Sequence, residues 1–141
     1  MFEYSRNVFF YETDKMAVVH HSNYARWLEE ARNEYFASVN LPYVETERMG
    51  VMSPITDIKL KFQFPARYGD KFTVQMKITK YTGVRFSVQY NVINQDGKTL
   101  VMGESTHCFV DKDMKPVSLA RVIPDRHKRF KDVLEKEALE Q

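Results

Sequence analysis

The sequence lacks several features that mark common classes of protein. It has one cysteine, Cys108, so no internal disulfide can form, and no apolar run approaches the ~20 residues that a membrane helix needs. Neither sign of charge dominates, because 21 Lys and Arg are balanced by 19 Asp and Glu, for a net charge of +2. A nucleic-acid-binding domain would need a clustered basic excess. With no signal-peptide pattern at the N-terminus, the single cysteine also predicts a cytoplasmic protein.

Glycine and proline are also scarce, with five of each in 141 residues, so low-complexity linkers are not expected. The chain is 43% apolar and 28% charged, which is typical of a globular protein rather than a disordered one. Its length suits one domain with a real core. We therefore predict a single domain over residues 1–141.

A long helix is predicted early in the chain. Residues 3–11 are rich in aromatic side chains and predict a first strand, and residues 22–39 carry apolar residues with helical spacing. Ser22 or Asn23 can cap the start of this helix. Charged residues at positions 29–34 interrupt the apolar stripe, which predicts a polar partner beside it.

After Gly50 the apolar residues recur with a period of two, which is typical of strands. Four strands are predicted, some of them joined by turns at Thr82-Gly83 and Asp96-Gly97, and they cover residues 55–64, 71–81, 84–94 and 98–111. A charged helix at about 124–139 follows them. This order predicts an α+β fold, with a five-stranded antiparallel sheet curled around one long helix. The open edges of such a sheet predict association with a second copy of the chain.

The residues with the clearest chemical potential lie between the first strand and the long helix. Asp14 is in a loop seven residues before His21, and the helix begins directly afterwards. A helix N-terminus exposes unpaired N–H groups that can stabilise an oxyanion, while a nearby carboxylate can attack a carbonyl carbon or activate water. From the residues alone, Asp14 could equally be a turn residue that bonds its own backbone.

Metal binding is not expected from the histidines. His20 and His21 are adjacent, so on a helix their side chains would point about 100° apart, and no spaced set of ligands accompanies them. They could equally be an ordinary surface pair or a helix cap. We predict neither a metal nor a cofactor.

The same segment resembles the signature of the 4-hydroxybenzoyl-CoA thioesterase family, including its YbgC-like acyl-CoA thioesterases. The matching residues are Thr13-Asp14, Val18-Val19, His21, Asn23-Tyr24, Trp27 and Glu29-Glu30-Ala31-Arg32. The resemblance continues to about residue 124 through Pro54-Ile55, the turn at residues 64–70 and the segment 111–116. The sequence departs from the family pattern at two places, Lys15-Met16-Ala17 and His20. These departures could change the shape of the loop and the choice of substrate.

The resemblance implies a hotdog fold and an acyl-CoA thioesterase. In such an enzyme, Asp14 would be the catalytic carboxylate, and the backbone N–H of His21 would polarise the thioester carbonyl. Coenzyme A would be part of the substrate, and the active site would be shared between subunits of a homodimer or homotetramer. The resemblance and the local chemistry together make five further residues candidates for substrate binding: His20, Asn23, Ser53, Pro54 and Arg67. Asn23 could instead hold the loop or cap the helix.

Three other functions compete with this hypothesis. The thioester could be carried by an acyl carrier protein, or the domain could bind acyl-CoA without cleaving it. The carboxylate before the helix start argues against a pure binder, which needs none. A dehydratase is the least favoured, because Asp14 lies six or seven residues before His20 and His21, and the Asp-x-x-x-x-His arrangement is not evident.

Overall fold

The computed structural model describes residues 1–139, which form two compact units. The first unit contains Met1–Glu34, Lys59–Lys77 and Gln89–Glu104. The second contains Tyr35–Ile58, Ile78–Val88 and the chain from Ser105 onward. Several helices and strands contribute residues to both.

Five strands and four helices are described within residues 1–139. In chain order they are β1 Phe2–Asn7, α1 Ser22–Ser38, α2 Tyr43–Arg48, β2 Ile55–Phe62, β3 Lys71–Tyr81, β4 Arg85–Ile93, β5 Thr99–Cys108, α3 Leu119–Val122 and α4 Pro124–Leu139. The strands form one antiparallel sheet in the order β1-β3-β4-β5-β2. In its first pair, Phe2 lies opposite Met76 and Asn7 opposite Lys71. The predicted α+β class and five-stranded sheet are confirmed.

The core of the first unit lies between α1 and the sheet. Trp27 and Leu28 of α1 have no exposed surface, and the Trp27 indole stacks almost parallel on Phe72 of β3 with ring centres 3.7 Å apart. Val74 and Met76 continue the buried face of β3, as the alternating pattern predicts. Burying such side chains contributes roughly 2 kcal/mol each, so this face stabilises the position of α1.

Aromatic side chains form the core of the second unit. The rings of Phe36 and Phe86 meet edge to face at 5.7 Å, and Phe130 of α4 stacks on Tyr81 at 4.3 Å. Phe130 is 5% exposed, although most of α4 is charged. This apolar residue therefore anchors a helix whose remaining surface is largely polar.

The first strand is shorter than the sequence predicts. β1 ends at Asn7 instead of residue 11, and a 3₁₀ turn occupies Phe10–Glu12. The Phe9 N–H donates to the Glu12 carboxylate at 2.8 Å, and the Glu12 N–H donates to the Phe9 carbonyl at 3.0 Å. These local bonds replace strand pairing, which is why the aromatic run does not stay extended.

Strand β2 has a different environment from the other strands. It forms an edge of the sheet, and three of its four apolar residues, Ile55, Ile58 and Phe62, are 41%, 41% and 54% exposed, while Leu60 is half-buried. The alternation in the sequence predicts a strand correctly, but most of its apolar side chains are not buried within residues 1–139. None of the helices in this part of the chain is long and apolar enough to cross a membrane.

Candidate active site

The loop that carries Asp14 is closed by its own backbone. Thr13 pairs with Val19 in an antiparallel bridge, and the Asp14 N–H donates to the Val18 carbonyl at 2.9 Å. At the tip, the Ala17 N–H donates to the Asp14 carbonyl at 3.0 Å, and Ala17 has a φ of 63°. A non-glycine residue in this region is uncommon and marks a tight turn. The loop is therefore a small hairpin and not a loose connection.

Asp14 itself is exposed at the start of this turn. Its Oδ1 atom accepts a hydrogen bond from the Met16 N–H at 2.8 Å, which is the turn interaction that short polar side chains often make. No donor among residues 1–139 reaches its Oδ2 atom. One carboxylate oxygen thus shapes the turn, and the other is available for chemistry.

Helix α1 begins beside two histidine side chains. His20 Nδ1 accepts from the Ser22 N–H at 3.3 Å and lies 2.9 Å from the Ser22 hydroxyl, so the imidazole caps the helix where Ser22 or Asn23 was expected to do so. The Asn23 N–H donates to the His20 carbonyl. For the His21 N–H, the structure of residues 1–139 contains no acceptor. This amide lies at the positive end of the helix dipole, where anions are stabilised.

Asn23 and Tyr24 attach the start of α1 to its surroundings. The buried Asn23 amide donates to the Glu12 carbonyl at 3.0 Å and to the His20 carbonyl at 3.3 Å. The Tyr24 hydroxyl accepts from the Ala66 N–H at 3.2 Å, and burial raises the pKa of Tyr24. Asn23 therefore uses its side chain to hold the loop.

Arg67 is adjacent to the same loop. It forms an antiparallel bridge with Val18, and the Val19 N–H donates to the neighbouring Ala66 carbonyl at 2.8 Å. The residue is exposed, and its own N–H donates to Asp70 Oδ2. A positive side chain is thus placed at the rim of the loop.

A charged cluster supports the loop from its N-terminal side. Arg6 donates to both carboxylate oxygens of Glu12 at 2.9 and 2.8 Å and to both oxygens of Glu30 at 2.7 and 3.0 Å. Trp27 Nε1 donates to Glu12 at 2.7 Å, and the Tyr4 hydroxyl donates to Glu30 at 2.7 Å. The cluster joins β1, the residue before the loop and helix α1.

The electrostatics of the cluster favour the charged states of Glu12 and Arg6 and the neutral state of Tyr4. Burial raises the pKa of Glu12, but hydrogen bonds from Arg6, Trp27 and the Phe9 amide outweigh that effect and hold the pKa below its usual value. Burial lowers the pKa of Arg6, but its bonds to Glu12 and Glu30 raise the pKa by more. Burial and the bond to Glu30 raise the pKa of Tyr4 to about 12.

Arg6 and Glu12 were not among the site residues that the sequence predicted. The interruption of the apolar stripe at positions 29–34 predicted a polar partner, and Arg6 is that partner for Glu30. The predicted site residues divide between the two units. Asp14, His20, His21, Asn23 and Arg67 lie around one loop in the first unit.

Ser53 and Pro54 belong to the second unit. The Ser53 N–H donates to the Tyr43 hydroxyl at 3.3 Å, and its carbonyl is 3.2 Å from His107 Nδ1. The Pro54 carbonyl accepts from the Cys108 N–H. Across residues 1–139, no three His, Cys, Asp or Glu side chains are grouped as metal ligands.

Comparison with known proteins identifies the family. Residues 8–136 match the family model described as the thioesterase-like superfamily. The chain belongs to this superfamily. Among its relatives, the putative acyl-CoA thioesterase YneP of Bacillus subtilis is 32% identical over 120 residues, which cover 84% of this chain and 87% of the relative. The chloroplast acyl–acyl carrier protein thioesterase ATL3 of Arabidopsis thaliana is 25% identical over 121 residues, which cover 85% of this chain and 64% of the relative.

Solved structures of the superfamily share the architecture. A 1,4-dihydroxy-2-naphthoyl-CoA (DHNA-CoA) thioesterase from Staphylococcus aureus superposes with a TM-score of 0.92 at 29% identity, covering 99% of this chain and 94% of that one. The predicted hotdog fold and the predicted class, a thioester hydrolase, are confirmed by this membership. The roles of individual site residues stay predictions.

Proposed function

We propose that this superfamily member hydrolyses acyl-CoA thioesters, with Asp14 as the catalytic carboxylate and the His21 N–H as the donor to the thioester oxygen. The observation that supports this proposal is the His21 amide, which has no acceptor within residues 1–139 and stands at the start of α1. Asp14 lies in the hairpin that precedes it and has one oxygen that no donor within the described part of the chain reaches. An oxyanion donor and a carboxylate are the two parts that acyl transfer without a metal requires.

Two chemical routes are compatible with these groups. In the first, Asp14 takes a proton from water, the water oxygen bonds to the carbonyl carbon, the C–S bond breaks, and the thiolate leaves and is protonated. In the second, an Asp14 oxygen bonds to the carbonyl carbon, the thiolate leaves, and water then hydrolyses the mixed anhydride. In both, negative charge grows on the carbonyl oxygen, where the His21 N–H can stabilise it.

Substitution of the carboxylate tests the assignment. We expect Asp14→Asn to lower kcat by about 100-fold or more, because the amide can neither take a proton nor attack, while the Met16 N–H still has an oxygen acceptor. Thiol release from a panel of acyl-CoAs measures the rate. The matched control is Asp113→Asn, another exposed loop aspartate. An Asp14→Asn enzyme with most of its kcat would show the assignment to be wrong.

The two routes differ in where solvent oxygen enters. In a single turnover in H₂¹⁸O, the first route labels only the released acid. In the second route, water that attacks the aspartyl carbon of the anhydride leaves one ¹⁸O in the Asp14 carboxylate, whereas water that attacks the acyl carbon labels only the released acid, as in the first route. Mass spectrometry of the peptide that contains Asp14 reads the outcome, and a label there would identify the nucleophilic route.

The carrier of the acyl group is a separate question. The names of YneP and of the S. aureus enzyme favour coenzyme A, while the similarity to ATL3 favours an acyl carrier protein as the second candidate. Rates with the same acyl group on each carrier, at equal concentration, distinguish the two. Tight binding of acyl-CoA without thiol release would instead support the binding-module hypothesis.

The remaining site residues have supporting roles in this proposal. His20 caps α1 and so helps to orient the His21 N–H, and Asn23 holds the loop. Arg67, exposed at the loop rim, is proposed to bind a coenzyme A phosphate, since guanidinium groups pair well with phosphates. Ser53 and Pro54 are proposed to contact the substrate. The reaction is proposed to need neither metal nor cofactor.

A further inference from the structure

Glu12 lies two residues before Asp14, and its side chain is almost completely buried. Its Oε1 atom accepts hydrogen bonds from Arg6 Nη1 at 2.9 Å and from the Phe9 N–H at 2.8 Å. Its Oε2 atom accepts from Arg6 Nη2 at 2.8 Å and from Trp27 Nε1 at 2.7 Å. A carboxylate has about four acceptor sites, so all of them are used. The side chain therefore attaches Glu12 to β1 on one side and to α1 on the other.

The backbone of Glu12 is attached to the start of the same helix. Its carbonyl accepts from the His20 N–H at 2.9 Å and from the Asn23 side-chain amide at 3.0 Å. His21, the proposed oxyanion donor, lies between these two residues in the chain. With the bond from Trp27, three groups of the segment 20–27 are thus attached to one residue outside it.

Glu12 and His20 also form the base of the hairpin that carries Asp14. The next backbone bond of this hairpin joins the Asp14 N–H to the Val18 carbonyl at 2.9 Å. Short-range bonds set the position of Asp14 relative to the hairpin base, and the bonds of Glu12 set the base relative to α1. The separation between the Asp14 carboxylate and the His21 N–H therefore depends on Glu12.

We infer that Glu12 is a positioning residue, which holds the Asp14 carboxylate and the His21 N–H at the separation that thioester hydrolysis requires. The inference rests on the proposed function, since it assumes that both groups act on one thioester. Glu12 acts through these groups and does not touch the substrate, because it is only 3% exposed. A displacement of about 1 Å at a reacting group can cost about 100-fold in rate, so a loosened attachment should lower kcat.

Glu12→Gln tests this role. An amide NH₂ group replaces one carboxylate oxygen, and in either orientation it faces two N–H donors, so the side chain has to move. We expect kcat per folded molecule to fall by roughly 10-fold or more, while KM stays nearly unchanged because the groups that bind the substrate are retained. Urea unfolding gives the folded fraction, so that lost stability is not counted as lost catalysis.

Glu30→Gln is the matched control. The Glu30 carboxylate accepts from the same guanidinium and from the Tyr4 hydroxyl, and among residues 1–139 it bonds to no residue of the hairpin. This variant removes a negative charge from the same cluster and leaves the bonds of Glu12 in place. It should have nearly the kcat of the wild type. A similar fall of kcat in both variants would overturn the inference, because the charge of the cluster would then be the cause.

A double-variant cycle shows whether Glu12 acts through Asp14. The separation of two groups matters only while both of them act. In the Asp14→Asn background, Glu12→Gln should therefore lower the residual rate by a much smaller factor than in the wild type. An equal factor in the two backgrounds would contradict the inference. Failure of the proposed function has a different signature, since Asp14→Asn alone would then keep most of its kcat.

Glu12→Asp keeps the test valid if Glu12→Gln fails to fold. It retains the charge but shortens the side chain by one methylene, so its bonds to Arg6 and Trp27 pull on the backbone that accepts the His20 N–H. The same fall in kcat with a nearly unchanged KM is expected. A Glu12→Asp enzyme with the kcat of the wild type would show that the position of this residue does not control the reaction.

Discussion

Glu12 has a connecting role at the scale of single residues. It is 3% exposed, and its carboxylate accepts hydrogen bonds from Arg6, the Phe9 amide and the Trp27 indole. Its carbonyl also accepts from the Asn23 side chain. One residue thus connects the first strand, the Asp14 loop and helix α1. A buried carboxylate with this many donors is stable only while it is charged.

The charge of Glu12 gives stability a defined pH dependence. Because its pKa is lower in the folded protein than its ordinary value of 4.5, Glu12 stabilises the fold above about pH 4.5, and this contribution is lost as pH falls through the folded-state pKa. We expect Glu12→Gln to lower the free energy of unfolding by about 3 kcal/mol at pH 7, since it removes the charged partner of half-buried Arg6 and weakens the bonds that the buried Glu12 carboxylate accepts.

Urea unfolding from pH 3 to pH 7 measures this effect. The difference in unfolding free energy between the wild type and Glu12→Gln should be largest at neutral pH and should become smaller below about pH 4.5. Glu29→Gln, at an exposed position of the same helix as Trp27 and Glu30, is the control and should change stability little at any pH. If the difference in unfolding free energy is the same from pH 3 to pH 7, the charge of Glu12 is not the cause of the lost stability.

At the scale of elements, the start of α1 is held by contacts outside the helix. The His20 imidazole caps it, and the Tyr24 hydroxyl joins its first turn to the backbone at Ala66. The Val19 N–H completes this connection by donating to the Ala66 carbonyl. The orientation of the His21 N–H therefore depends on the packing of the helix start against the segment at Ala66.

Removal of one hydroxyl tests this connection. Tyr24→Phe leaves the buried Ala66 N–H without its acceptor, so we expect a loss of about 1–3 kcal/mol in unfolding free energy. Thioesterase kcat should fall as well if the helix start shifts. Tyr11→Phe, at a residue that is 74% exposed, is the matched control and should have little effect. Equal stability of the two variants would show that the Tyr24 bond is unimportant.

At the scale of the whole molecule, strand β2 favours association. It is an edge of the sheet, and Ile55 and Ile58 on it are each 41% exposed. An edge strand offers unpaired backbone groups to a second chain, and exposed apolar patches mark interaction sites. This supports the proposal of a homodimer or homotetramer, in which a second copy of the chain covers β2.

A charged residue on this edge should disrupt such an assembly. We expect the wild type to have at least twice the 16.7 kDa mass of one chain in size-exclusion chromatography with light scattering, and Ile58→Lys to shift towards the mass of one chain. Val44→Lys, at a residue that is 57% exposed on α2, should keep the wild-type mass. If Ile58→Lys has the mass of the wild type, β2 is not the contact.

Much of the fold was predictable because its signals are local. The period of two in β3 and β4 corresponds to their buried faces, and the Asp96-Gly97 pair forms the expected turn, with Gly97 at a φ of 77°. The loop and helix start around Asp14 were found from neighbouring residues. The end of β1 was wrong because the Glu12 carboxylate, and not a backbone partner, takes the Phe9 N–H.

The succession of strands and helices, the resemblance to a family and the segment that carries Asp14 and His21 could all be found from local sequence patterns. Which charges are neutralised is set by the folded arrangement of the chain. Arg6 meets Glu30 across 24 positions, and Arg126 meets Glu45 across 81. Residues so far apart in the chain share no periodic pattern, and whether their charges are satisfied depends on distances that exist only after folding.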